Sequence, residues 1–139
     1  MTFWDASAIV PLLLEEPGAD APVPAIDQPI CVWWGTLVEA ASAIARRERA
    51  GKLKPRQAAQ CLARLAELAE SWMEVAPTDQ LRDSAVRLLR VHALSAADSL
   101  QLAAALAVVA GHAGPVEFIC LDSRLSQAAS REGFLVTLA

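Results

Sequence analysis

The 139 residues are 55% hydrophobic and 20% charged, with a mean hydropathy of +0.34, which excludes the low-hydropathy, high-charge regime of disordered chains and leaves room for one well-packed domain but not two. One domain spanning residues 1–139 is therefore expected. The net charge of -4 and pI near 5.1 argue against a general basic surface, yet residues 46–56 set Arg46, Arg47, Arg49, Lys52, Lys54 and Arg56 against Glu48 alone, net +5, so the remaining 128 residues sum to -9.

In chain order, the short apolar run at residues 2–5 predicts a strand ending in an acid. Residues 6–16 have helical spacing, interrupted by Pro11. Three prolines in residues 18–29 predict an irregular, exposed stretch. Residues 30–34, β-branched and aromatic, predict a second strand. A long helical pattern opens at Thr36 and runs to Ala50, Gly51 closes it, and Pro55 suits the first position of a helix running to about Ser71. The result is a helical hairpin with a basic tip. Residues 72–76 predict a third strand and 78–92 an amphipathic helix. Residues 95–110 predict an almost wholly apolar helix, buried on nearly every side. A strand at 116–121, a helix at 123–131 and a terminal strand at 134–138 complete the chain. Strands separated by helices of this length imply right-handed crossovers and a mainly parallel sheet with helices on both faces, an α/β class.

The apolar run LQLAAALAVVA, with only Gln101 polar, is about half the length that spans a membrane. The run at residues 8–14 follows Asp5 and has no basic residues before it, so a signal peptide is not expected either. Cys31, Cys61 and Cys120 are odd in number and far apart, which indicates neither a disulfide framework nor zinc and points to a reducing, cytoplasmic compartment. His92 and His112 read as solvated or helix-end side chains. Trp33 and Trp34, adjacent on a strand, should face opposite sides, one in the core and one partly exposed, with base stacking a lesser use of the second.

Four acids stand out. Asp5 and Asp122 each follow an apolar strand, at the carboxyl edge where open α/β sheets bind ligands. Glu39 and Asp98 each stand three residues after a hydroxyl, in Thr36-Leu-Val-Glu39 and Ser95-Ala-Ala-Asp98. That spacing also describes a capping box, which explains Glu39 as well as a functional role does. It explains Asp98 less well, because that helix carries a core stripe of Leu102, Ala105 and Val109. Four carboxylates converging on one cleft would need a cation, and oxygen-only donors favour Mg²⁺ or Mn²⁺ over zinc. Such a site suits phosphodiester hydrolysis. Ser7 supports Asp5 by hydrogen bonding or caps the first helix. The basic tip is a candidate for contact with RNA phosphates, or is merely solvated.

The order D-x-S, T-x-x-E, S-A-A-D-S-x-x-L-A-A-A, then apolar strand-D-x-x-L resembles the PIN domain over essentially the whole chain, and within it the small nucleases of the VapC toxin kind. The resemblance implies a three-layer α/β/α sandwich with a short, mainly parallel sheet. It implies a metal-dependent endoribonuclease in which Asp5, Glu39, Asp98 and Asp122 form the acidic quartet, and a cognate antitoxin as partner. A homodimer is expected from the apolar composition. One departure is Cys120, where many members have Thr or Ser two residues before the last acid. The alternative is a PIN-fold binding module without catalysis, although all four acids are present. Aspartyl-phosphate hydrolases and receiver domains fit poorly: Ser7 stands where the first would have a second Asp, and the second's acidic pair and late lysine are missing.

Overall fold

A computed structural model describes residues 1–14 and 29–137. Its elements are β1 (Thr2–Trp4), α1 (Ala6–Leu14), β2 (Ile30–Trp33), α2 (Thr36–Arg49), α3 (Pro55–Ala69), β3 (Met73–Val75), α4 (Asp79–Val91), α5 (Ala96–Ala110), β4 (Glu117–Ile119), α6 (Ser123–Arg131) and β5 (Leu135–Thr137). The five strands form one parallel sheet in the order β3-β2-β1-β4-β5, with Phe3 opposite both Cys31 and Phe118. The fold is α/β, with helices on both faces of the sheet.

Alternation along the strands feeds two cores. Ile30 and Val32 of β2 pack with Ile9, Leu13, Ile44, Leu65 and Leu68 from α1, α2 and α3. Cys31 and Trp33 point the other way and join Phe3, Leu88, Leu102, Phe118, Leu125 and Phe134 beneath α4, α5 and α6. Helix starts follow local chemistry. Pro55 opens α3, whose Lys54 N–H donates to Gln57 Oε1 at 2.8 Å, and the Thr78 hydroxyl accepts the Leu81 N–H at 3.1 Å to start α4. Gly51 takes φ 75° after α2, a conformation that favours glycine at a helix end.

Several expectations change. Pro11 lies inside α1 without ending it; as the sixth of nine residues it removes one hydrogen bond of the helix, and the burial of Ile9, Val10 and Leu13 in the core holds the helix together across it. The buried residues of α5 fall between Ser99 and Ala105, and Val109 is 43% exposed, so the last turn of the helix lies at the surface. His92 does end α4, but it is buried and its Nε2 meets Glu132 Oε2 at 2.8 Å. That contact and Arg87 hold the Glu132 carboxyl below its usual range. The strand expected over 116–121 pairs only over Glu117–Ile119. The expectations for residues 18–28, for α1 beyond Leu14 and for Leu138 fall outside the described residues. No single helix among those described is long and apolar enough to cross a membrane.

Candidate functional site

The chain works outward from β1 to β2 and β3, then returns to place β4 on the other side of β1. Beyond the carboxyl ends of β1 and β4, where strand order reverses, such a sheet leaves a crevice. Asp5 follows β1 directly, and its N–H donates to Ile119 O at 3.0 Å. Asp122 follows β4 as the N-cap of α6, while Glu39 and Asp98 sit in the first turns of α2 and α5. All four line one cleft of about 610 Å³, together with Ser7, Ser42, Arg46, Arg47, Val38 and Leu121.

Asp5 is 3% exposed. Its Oδ2 accepts the Ser7 N–H at 3.1 Å and the Ser7 hydroxyl, and that hydroxyl accepts the Leu121 N–H at 2.9 Å. Ser7 is therefore no helix cap but a tie between α1, Asp5 and the chain leaving β4. Cys120 stands 3.6 Å from Asp5 Oδ2 and accepts the Asp122 N–H at 3.2 Å. Burial and the Asp5 charge push its thiol up to about 11, so it stays protonated and acts as a weak donor toward Asp5. Asp122 Oδ1 accepts the Leu125 N–H at 2.8 Å, which leaves the other oxygen for the cleft.

The two hydroxyl-x-x-acid motifs behave differently. Ser95 caps α5 by accepting the Asp98 N–H at 3.2 Å. Thr36 caps nothing: α2 starts at Gly35 without a side-chain cap, because a Cβ on Gly35 would lie 2.5 Å from the Trp33 indole nitrogen. Thr36 is instead fully buried, and its Oγ1 accepts from Gln101 Nε2 at 3.0 Å. The same Nε2 donates to Glu39 Oε2 at 3.3 Å. Gln101 and Thr36 are the site neighbours that the sequence pattern missed, although a lone amide in an apolar helix was a visible signal.

Among the described residues none of the four acids has an ion-pair partner. Burial first, then the charges of Asp5 and Asp98, push Glu39 up to about 7. Asp98 is raised by burial and by Asp122 and Asp5, and Asp5 is raised by burial against its hydrogen bonds. The melting temperature in EDTA should therefore fall as pH rises from about 5 to 8. The folded state keeps a proton on Glu39 until about 7, whereas the unfolded chain loses it near 4.5, so folding stability drops across that window. Glu39→Gln should flatten part of the slope, and an equally steep slope in that variant would contradict the crowding of these acids.

The donor set, oxygen without histidine or thiolate, fits a hard divalent cation. As the side chains stand, no three metal-ligating residues among those described come close enough to enclose an ion. Of the basic tip, Arg46 and Arg47 line the cleft, whereas Arg49, Lys52, Lys54 and Arg56 are exposed outside it. Trp33 is buried and Trp34 is 56% exposed.

The family model described as PIN domain matches residues 2–129 of the chain. No curated protein sequence matches it.

Proposed function

Starting from the fact that the chain belongs to the PIN domain family, whose members are typically nucleases that bind a divalent metal, we propose that it is a metal-dependent endoribonuclease and the toxin of a type II toxin-antitoxin pair. The observation that carries this reading is the cleft itself. Four acids from four separate elements line it without a cation partner among the described residues. Unrelieved repulsion of this kind is what a divalent ion removes.

In this reading Asp5, Glu39, Asp98 and Asp122 hold Mg²⁺ or Mn²⁺. When bound, the ion activates a water and offsets charge developing on the phosphodiester. Ser7 fixes Asp5, the α6 cap fixes Asp122, and Asp98 leaves its carboxylate to the cleft while its N–H meets Ser95. Arg46 and Arg47 are placed to receive RNA phosphates beside the acids, with the rest of the tip as a more distant attraction. An Arg- or Lys-bearing segment of an antitoxin would neutralise the same cleft. Exposed Val86, Leu89 and Val91 on α4 support a homodimer, and three buried cysteines, odd in number and far apart in sequence, suit a cytoplasmic setting.

Purified protein should cleave RNA with Mn²⁺ and stop on addition of EDTA, and co-expressed antitoxin should relieve growth inhibition. Cleavage undiminished in EDTA would remove the metal mechanism. Failure of the antitoxin arm alone would remove only the toxin assignment. The second reading, a binding module without catalysis, draws on the absence of any ion-enclosing trio among the described residues. It predicts RNA binding with no Mn²⁺-dependent cleavage.

A further inference from the structure

Gln101 is the one polar side chain in the middle of α5, fully buried between Leu100 and Leu102. A buried amide is costly unless its groups are paired. Its Nε2 is paired twice, with Thr36 Oγ1 at 3.0 Å and Glu39 Oε2 at 3.3 Å, but its Oε1 has no hydrogen-bond partner among the described residues. An apolar residue of similar volume would remove that unpaired oxygen from the interior. A glutamine here is poorly explained by packing. What it does accomplish is to bind two side chains of the first turn of α2 from another helix, so that the Glu39 carboxylate has a fixed donor on one oxygen.

We propose that Gln101 is a positioning residue, anchored by Thr36, that holds the Glu39 carboxylate toward the cleft in the orientation a divalent cation requires. The proposal rests on the metal-binding reading given above. It concerns the other side of that reading, namely the partner that orients a ligand. Outer partners of this kind commonly contribute ten- to a hundredfold to metal affinity. Glu39 needs one more than its neighbours do. Asp5 and Asp122 are fixed by backbone N–H groups of adjoining turns, whereas Glu39 is a longer side chain whose only side-chain hydrogen bond among the described residues comes from Gln101.

The test is Mn²⁺ binding to the purified chain, followed by calorimetry or by the spin-resonance signal of free Mn²⁺, alongside melting in EDTA. Gln101→Met keeps the volume and removes the donor together with the unpaired oxygen. It should leave the EDTA melting temperature unchanged or higher while weakening Mn²⁺ binding about tenfold. In a Glu39→Gln background the same change should have no further effect on Mn²⁺, because Gln101 acts only through Glu39. Thr36→Val should weaken binding in the same direction by a smaller factor. A wild type that fails to bind Mn²⁺ overturns the metal reading and this proposal with it. If wild type binds, wild-type affinity in Gln101→Met, or equal loss in both backgrounds, overturns the positioning role alone. Should Gln101→Met fail to fold, unchanged affinity in Thr36→Val would assign Gln101 to the core and likewise overturn the proposal.

Discussion

Asp98→Asn is expected to lower the rate of RNA cleavage by at least about a hundredfold while leaving the fold in place, the scale of losing a group that supports the transition state electrostatically. The fold should survive because what starts α5 is the Asp98 backbone N–H meeting Ser95 Oγ, and asparagine keeps that N–H. The carboxylate faces the cleft beside Asp5 and Asp122, whose charges both raise its pKa. Asp5→Asn should match it in activity, because an amide oxygen can still accept the Ser7 N–H and hydroxyl while the charge is lost. A wild-type rate in Asp98→Asn, measured with Mn²⁺ on single-turnover RNA, would remove the Asp98 carboxylate from the catalytic set.

Phe118→Ala should reduce folding stability by about 3–5 kcal/mol, the usual cost of emptying an aromatic core position. That is a large part of the roughly 5–15 kcal/mol a domain possesses. Phe118 is fully buried on β4, with ring centroids 5.5 Å from both Phe3 and Phe134. It therefore ties β1, β4 and the approach to β5 in one stack. The loss would also reach the site, since Asp5 and Asp122 follow the two strands that this stack holds together. Urea unfolding measures it, and a change below about 1 kcal/mol would mean that the stack is not the centre of this core.

The sheet was legible because its strands are short apolar runs between helices with clear caps and stops, as at Gly51, Pro55 and Thr78. Asp5 and Asp122 were legible for the same reason: an acid directly after an apolar strand lies at the edge where a parallel sheet opens. Glu39 and Asp98 were legible only as candidates, because Thr36-x-x-Glu39 and Ser95-x-x-Asp98 are the same pattern, yet one hydroxyl is buried against Gln101 and the other caps a helix. Long-range contacts decide that difference. Gln101 contacts residues 62 and 65 positions away, and His92 meets Glu132 across 40, so neither partner has a local signature. The exposed end of α5 was misread because composition reports how apolar a helix is, not which of its turns other elements cover.

The proposed role of Asp5, Glu39, Asp98 and Asp122 is to hold divalent metal at a shared site. Thermal melts of wild type and Asp98→Asn, each in EDTA and in Mn²⁺, test it through stability and not through activity. In EDTA the variant should melt a few degrees higher, because one charge of a repelling group has been removed. Mn²⁺ should raise wild type by more than it raises the variant, since a ligand that binds only the folded state stabilises according to its affinity. Equal destabilisation of Asp98→Asn in EDTA and in Mn²⁺, the pattern of a local role for the carboxylate that involves no ion, would contradict the shared site.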